Sequence, residues 1–324
     1  MCSYTKIIIF GIFVKMDATV MKKIRAHIVT GCIRLLAFLP LKVHYALCGC
    51  LAWLMRSVVR YRRKVVETNL LHSFPDRSPE ERKEILKGFY RHFGEIIAEA
   101  VWFGGTRSKE RLRRQGLCEF AGLEEHRKEL EGTKGVMYLT SHCGNWELYG
   151  GWFQYAPQGS LPYREDEVIV PYKRLSSDVW EDVMTRNRFW PMEGFEGYVE
   201  SRNVLRYTLE HKDRRVFLFN TDQYPYRGAR GHEVQDFLHQ RTMAMTGGAA
   251  IACKFGLAVM FTRFERVSKG HYRMSFRTIA RDASKVTPAE ITDRYYAMLQ
   301  EDIEAQPSNY LWSHKRWKDL YDYK

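Results

Sequence analysis

The spacing of apolar residues along the chain alternates between two periods. Short, nearly continuous apolar runs predict buried strands at residues 136–139, 167–175, 216–220 and 256–261, and alternation predicts an edge strand at 272–276. Apolar positions three and four residues apart predict helices at residues 79–100, 178–188, 204–209 and 288–305. The predicted fold class is therefore α/β, with N-terminal helices followed by a mixed, mostly parallel sheet flanked by helices.

The most apolar stretch, residues 28–56, precedes these elements and contains Pro40. Because proline kinks or divides a helix, the stretch is either one kinked membrane anchor or a pair of helices lying in the membrane interface. A buried helical hairpin is the third interpretation. Basic residues flank the stretch on both sides, and they are Lys22, Lys23, Arg25, Arg56, Arg60, Arg62, Arg63 and Lys64. Since such flanks attract anionic lipid, we favour association with an anionic membrane surface.

Chemistry is concentrated where the strand at 136–139 ends. The chain continues as Ser141-His142-Cys143-Gly144, and Asn145 is a suitable N-cap for a helix that begins with Trp146 and Glu147. A strand, a turn and a helix start place His142 at the carboxyl end of a strand, where ligand crevices of open α/β sheets form. Glu147 falls in the first helical turn, which favours a carboxylate.

His142 and Glu147 form the pattern H-x-x-x-x-E. A neutral imidazole can take a proton from an attacking hydroxyl, and a carboxylate on its other nitrogen would fix the tautomer. We therefore expect His142 to act as a general base and Glu147 to orient it. The alternative is that His142 is only a turn residue and Glu147 a solvated helix residue. A third interpretation makes Cys143 a nucleophile, although adjacent side chains do not normally face one another, so His142 is poorly placed to activate it.

Composition limits the class of protein and the class of partner. The 324 residues carry a net charge of +13, and 14% of them are aromatic. A strong basic excess indicates an acidic partner, but no nucleic-acid-binding motif is present, so we do not expect nucleic acid. The cysteines are scattered and odd in number, at seven. This argues against a disulfide framework or a structural metal site, and we expect neither a metal nor a cofactor.

The stretch S-H-C-G-N-W-E at residues 141–147 resembles the acyl-acceptor motif of the bacterial lipid A late (lauroyl/myristoyl) acyltransferases, within the glycerolipid acyltransferase superfamily. Four further segments resemble the same family, and the resemblance runs from about Ile28 to Lys318. They are residues 63–75, with Asn-Leu before Phe-Pro; 172–188; the Asp222-Gln223 pair followed by 234–252; and the tail 306–318. Arg174 stands where the family usually has Pro, and Tyr310 replaces a Trp.

The resemblance implies transfer of a fatty acyl chain from an acyl carrier protein thioester to a hydroxyl of a lipid A precursor, in lipopolysaccharide biosynthesis. The implied substrate-binding residues are Asn145, Lys173, Arg186, Arg188, Asp222 and Gln223. From the residues themselves, Asp222 could orient a basic side chain or a substrate hydroxyl, or could form an Asx turn. Surface salt bridges are an equally good interpretation of Arg186 and Arg188. Two alternative functions are acylation of another membrane lipid, an aminolipid or glycolipid, and non-catalytic basic membrane binding.

These expectations divide the chain into three parts. Residues 1–27 are a short N-terminal segment or precede the true start, because Met16 and Met21 are both candidate start residues. Residues 28–56 are the membrane anchor or interfacial helices, and residues 57–324 are the acyltransferase catalytic domain. The implied location is the bacterial inner (plasma) membrane, with the catalytic domain on its cytoplasmic face.

Overall fold

The computed structural model describes residues 5–9, 12–16, 18–192, 194–226 and 231–323. Eleven α-helices are present in these ranges: α1 (Ala18–Leu36), α2 (Leu41–Ser57), α3 (Arg63–Ser73), α4 (Pro79–Thr106), α5 (Lys109–Gln115), α6 (Leu123–Leu130), α7 (Trp152–Tyr155), α8 (Asp178–Phe189), α9 (Val204–Glu210), α10 (Gly247–Phe255) and α11 (Pro288–Ala305). Part of the predicted N-terminal segment, residues 1–4, 10, 11 and 17, lies outside the described residues.

The same ranges contain eleven strands: β1 (Thr5–Ile9), β2 (Ile12–Met16), β3 (Cys118–Phe120), β4 (Val136–Thr140), β5 (Val168–Tyr172), β6 (Tyr198–Glu200), β7 (Val216–Asn220), β8 (Gly231–Val234), β9 (Thr242–Met245), β10 (Ala258–Ser268) and β11 (His271–Ala280). Seven of them form the central sheet, in the order β3-β11-β10-β4-β7-β5-β6. Only the β10–β11 pair within it is antiparallel. The predicted mixed, mostly parallel sheet is therefore confirmed.

Both faces of the central sheet are covered. Along β4, Met137 and Leu139 pack into one buried apolar cluster, whereas Val136 and Tyr138 pack into another. This alternation follows from the period of two in a strand. Because both faces are buried, β4 is a nearly continuous apolar run, which is the pattern that predicted it.

Helix α4 begins as its sequence predicts. The hydroxyl of Ser78 accepts a hydrogen bond from the backbone amide of Glu81, whose carboxylate accepts one from the Ser78 amide, a capping box with Pro79 at the first position. The helix runs to Thr106, six residues beyond the predicted 79–100. It packs against residues 146–151, which follow β4, and its buried face carries Glu99.

Residues 37–40 separate helix α1 from helix α2, as the position of Pro40 indicated. The first begins at Ala18, ten residues before the predicted apolar stretch. Among the described residues, no individual helix has the length and apolar character needed to cross a membrane, although Val20–Leu36 and Leu41–Ser57 together meet that test across a bend of 117°.

Two strand predictions need correction. The segment at 272–276 belongs to β11, which is not an edge strand, because β3 pairs with it in parallel. Strand β10 starts at Ala258 and extends to Ser268, well past the predicted 256–261. It continues because β10 and β11 form a long hairpin that extends past the layer of parallel strands. Strands β3 and β6, three residues each, were not predicted, since so short a segment has too little pattern.

Candidate active site

The central feature of the site is the alignment of β4 with β7. The two strands are parallel neighbours, and their register pairs Thr140 with Asn220 at the carboxyl ends. The side chains of Thr140 and Asn220 also hydrogen-bond to each other. Two residues further along each chain come His142 and Asp222. The register therefore brings together two side chains that are 80 residues apart in sequence.

Asp222 holds His142 by two contacts. Its Oδ1 lies 2.7 Å from Nδ1 of the imidazole, and its Oδ2 accepts a hydrogen bond of 3.2 Å from the backbone amide of His142. Burial raises the pKa of Asp222, but the charge of His142 and these hydrogen bonds outweigh it, so the pKa lies below its ordinary value. An ionised Asp222 accepts a hydrogen bond from Nδ1–H, and this tautomer leaves Nε2 as the basic nitrogen.

The other ring nitrogen of His142, Nε2, has one longer contact, to Gln223. The Gln223 side-chain nitrogen lies 3.3 Å from Nε2, and the Trp146 ring packs edge-on against the imidazole at 5.1 Å between centroids. The His142 side chain keeps 14% of its surface exposed. A ligand hydroxyl that approaches Nε2 can replace the long Gln223 contact without disturbing Asp222.

A tight turn follows His142. Gly144 adopts a left-handed backbone (φ +64°), and a Cβ there would lie 2.8 Å from the Phe264 ring. Asn145 then caps the next helix by accepting a hydrogen bond from the Glu147 amide, as its sequence position predicted. The predicted helix is present at Trp146–Gly151, and it is a 3₁₀ helix.

Glu147 is paired with Arg188, in contrast to our prediction that it holds His142. The Arg188 guanidinium donates two hydrogen bonds, of 2.8 and 2.7 Å, to the two carboxylate oxygens. Burial raises the pKa of Glu147, but the charges of Arg188 and, less strongly, His142 outweigh burial. The pKa therefore lies below its ordinary value and the carboxyl group is ionised. Glu147 therefore interacts with His142 only through its charge, whereas Asp222 makes the direct contact with the imidazole.

The approach of helix α8 makes this pair possible. Gly150 lies against the backbone of Arg188, and a Cβ on Gly150 would collide with the Arg188 carbonyl oxygen. Only glycine allows this spacing without displacement of one backbone. Arg188, rather than Arg186, is thereby directed to the carboxylate.

A buried carboxyl group supports the turn from below. Glu99 of α4 accepts hydrogen bonds from Asn145 Nδ2 at 2.7 Å, from the Tyr272 hydroxyl at 2.8 Å and from the Tyr45 hydroxyl at 2.8 Å. Burial raises the pKa of Glu99 to about 7, although the three donors oppose this. Sequence analysis missed Glu99, and its only signal was a charged residue on the apolar face of a helix.

The remaining predicted substrate-binding residues are more scattered. Asn145 is fully buried, and its side chain is engaged by Glu99 and the Glu147 amide, which gives it a structural role here. Lys173 is exposed after β5, with its ammonium 5.5 Å from the centre of the Tyr226 ring. Arg186 is exposed and pairs with Asp182 at 2.8 Å, the surface salt bridge that we weighed as its alternative. Their roles in substrate binding stay predictions.

Cys143 belongs to a buried apolar cluster. It is buried, its backbone forms a bridge with Tyr310, and burial raises the pKa of its thiol above the ordinary value. A thiol that resists ionisation is a poor nucleophile. The geometry thus favours His142 over Cys143 as the reactive group.

A carboxylate-oriented imidazole at the carboxyl edge of a parallel sheet has the arrangement that general-base catalysis requires. The family model for bacterial lipid A biosynthesis acyltransferases matches residues 14–319 of this chain. The chain is 23% identical over 267 residues to a lipid A biosynthesis palmitoleoyltransferase of Escherichia coli (strain K12), which covers 81% of each chain. A lipid A biosynthesis acyltransferase of Haemophilus influenzae is 23% identical over 305 residues, 89% of this chain and 87% of the relative.

The chain therefore belongs to the bacterial lipid A biosynthesis acyltransferase family, and it is an acyltransferase. The family resemblance deduced from residues 141–147 and four other segments is confirmed. Family membership supports acyl transfer in lipid A biosynthesis, with lipid A or a related lipid as acceptor.

Proposed function

We propose that this protein transfers a fatty acyl chain from an acyl carrier protein thioester to a hydroxyl of a lipid A precursor. The observation that carries the proposal is the His142–Asp222 pair at 2.7 Å, in which the His142 side chain keeps 14% of its surface exposed. Acyl carrier proteins are acidic, and the net charge of +13 provides a physical reason for docking.

In the proposed reaction, Nε2 of His142 takes the proton of the acceptor hydroxyl as its oxygen attacks the thioester carbonyl. The new C–O bond forms, the C–S bond breaks, and the imidazolium returns the proton to the departing thiolate. Asp222 holds the imidazole in the Nδ1-protonated tautomer and stabilises its charged form, as the third group of a hydrolase triad does. No protein nucleophile is required, since the attacking oxygen belongs to the substrate.

Glu147 and Arg188 have a second role in this proposal. The bidentate pair fixes the 3₁₀ helix next to His142, and Arg188 keeps 33% of its side chain exposed. A guanidinium held by a carboxylate remains able to donate to an anionic group. We place Arg188 at the charged part of the acceptor or donor, together with Lys173 and Arg186.

The proposed location is the inner membrane, with the catalytic domain on the cytoplasmic face, where an acyl carrier protein is accessible. Exposed apolar side chains on α1 and in its connection to α2, such as Leu35 at 70% and Phe38 at 78% of their surface, support attachment to lipid. Aminolipid or glycolipid acceptors are the alternative substrates, because the site geometry constrains the hydroxyl and not the rest of the acceptor.

The test is acyl transfer by the purified full chain in neutral detergent. Lauroyl-acyl carrier protein serves as donor and an under-acylated lipid A precursor as acceptor, and the product is identified by mass spectrometry. We expect an acylated lipid A product with wild type and loss of about 10²–10⁴-fold with His142→Ala. His232→Ala, which removes an exposed histidine paired with Asp293, is the matched control and should retain full activity.

Two outcomes would overturn parts of the proposal. Transfer from lauroyl-coenzyme A at the rate seen with the carrier protein would remove the carrier as the specific donor. Near wild-type activity of a folded His142→Ala protein would remove the general base.

A further inference from the structure

A cationic cavity lies away from the His142 site. It has a volume of about 700 Å³ and is open to solvent on one side, and it is lined by the α1–α2 connection and the start of α2, by Trp102 of α4, by helix α5 and by the turn between β10 and β11. Four of its lining residues are cations: Lys42, Arg111, Arg114 and Lys269. None of His142, Glu147, Arg188 and Asp222 lines it.

The four cations have no acidic partner among the residues that the structure describes. Within the described ranges, none of them takes part in an ion pair, and the cavity lining contains no aspartate or glutamate. Lys42, Arg114 and Lys269 are exposed and Arg111 is partly buried. Like charges that converge without a counter-charge repel one another and create a positive potential, which an anion relieves.

Aromatic rings hold two of the cations in place. The Arg111 guanidinium lies 5.4 Å from the centre of the Trp102 ring, and the Lys269 ammonium lies 5.5 Å from that of Tyr45. The Tyr45 ring also packs closely against Gly270, because a Cβ added to Gly270 would lie 2.5 Å from the Tyr45 hydroxyl. Cation–π contacts leave the N–H groups of Arg111 and Lys269 available to a ligand. The cavity is thus organised before any ligand arrives.

The mouth of the cavity continues into an apolar surface. Phe38 belongs to the lining and exposes 78% of its surface, and Leu35 and Leu47 on α1 and α2 expose 70% and 56%. An anion in bulk water needs no apolar neighbour, whereas an anionic amphiphile does. The combination of a cationic cavity and an adjoining apolar face fits a lipid with a phosphorylated headgroup.

We propose that this cavity binds the phosphate of a lipid headgroup while the acyl chains of that lipid lie against the exposed faces of α1 and α2. The phosphate can belong to a glycerophospholipid of the membrane or to a phosphorylated glycolipid. In either case the site is separate from the reacting hydroxyl. Its occupation fixes how the N-terminal helices, and the sheet packed on them, sit on the lipid surface.

The experiment measures binding and not acyl transfer, so its result is independent of the proposed reaction. Calorimetry with the full chain uses dioctanoyl-phosphatidylglycerol, dioctanoyl-phosphatidylcholine and inorganic phosphate as separate probes. The triple variant Lys42→Gln/Arg114→Gln/Lys269→Gln is compared with Lys83→Gln/Lys212→Gln/Lys254→Gln. Both variants change exposed side chains and both remove three positive charges, so a difference between them reports the position of those charges.

We expect wild type and the control variant to bind phosphatidylglycerol equally and the cavity variant to bind on the order of 100-fold more weakly, since each cation near an anionic headgroup strengthens binding about fivefold. Phosphatidylcholine, which has no net charge, should bind more weakly. Competition by a phosphorylated glucosamine lipid that exceeds phosphatidylglycerol would assign the site to a glycolipid. Equal loss in both variants would show only a general charge effect, and unchanged binding in the cavity variant would overturn the proposal.

Discussion

Asp222 Oδ1 lies 2.7 Å from Nδ1 of His142, although the two residues are 80 positions apart in the chain. The contact depends on the parallel register of β4 and β7, which ends at Thr140 and Asn220. It assigns to Asp222 the orienting position that the H-x-x-x-x-E spacing assigned to Glu147. Four experiments test this exchange of partners, and a fifth tests the carboxyl group of Glu99 beneath the turn.

Asp222→Asn should lower acyl transfer by about 10²–10⁴-fold while the protein stays folded. An amide cannot stabilise the imidazolium, and it allows the opposite tautomer. Turnover and melting temperature are measured on the same preparation. Asp293→Asn is the matched control, because Asp293 also lies 2.8 Å from a histidine, His232, but on the exposed surface. Wild-type turnover in a well-folded Asp222→Asn protein would show that the orienting carboxylate is dispensable.

Arg188→Gln should destabilise the fold by about 2–3 kcal/mol, less than for a fully buried pair because one-third of the Arg188 side chain is exposed. The variant leaves the Glu147 carboxylate buried without its partner. The double variant Glu147→Gln/Arg188→Gln should regain part of this stability, since no unpaired charge remains. Urea unfolding of wild type, the two single variants and the double variant measures the coupling energy between Glu147 and Arg188. If the double variant also regains activity, the pair is structural; if it stays inactive, one member acts on substrate.

The Glu147–Arg188 pair should also make the fold sensitive to acid. The pKa of Glu147 is depressed below its ordinary value of 4.5, so its contribution is present above that pH and is lost as the pH falls. Glu147→Gln should therefore narrow the difference in stability between pH 6 and pH 3. A variant whose acid sensitivity equals that of wild type would contradict this assignment.

Gly150→Ala should cost about 1–3 kcal/mol and lower activity, because the new Cβ meets the Arg188 carbonyl oxygen and pushes α8 away from Glu147. Gly247→Ala is the control: a Cβ at Gly247 has no neighbour within 4 Å, and the residue is at the start of α10. Thermal unfolding and turnover report the two effects. Equal melting temperatures in both variants would mean that α8 shifts without penalty.

Glu99→Gln should become progressively more stable, relative to wild type, as the pH rises from 5 to 8. The folded-state pKa of Glu99 is raised from 4.5 to about 7, so its stabilising contribution is complete below pH 4.5 and is lost as the pH rises through 7. The difference should approach about 3 kcal/mol, since one pKa unit corresponds to about 1.4 kcal/mol. Melting temperatures across the pH range test this, and Glu125→Gln, an exposed change, should show no trend.

Local sequence determined most of the elements and one half of the site. Three local features depend on residues only a few positions apart, so their signals lie within one short window. They are the apolar run of β4, the capping box before α4 and the Asn145 cap of the helix at 146–151. The same reasoning placed His142 at the carboxyl end of a strand. It also fixed the family, because the residues at 141–147 and the tail carry a recognisable pattern.

Only the tertiary structure decided which carboxylate meets His142. Sequence spacing put Glu147 close to the imidazole, but α8, held against Gly150, supplies Arg188 to that carboxylate. Asp222 reaches His142 because two distant strands are paired in one register, and Glu99 supports Asn145 because α4 crosses beneath the turn. Contacts of this kind depend on how strands and helices are placed against one another. No window of sequence contains that information, since the free energy that fixes it comes from burial of the whole sheet.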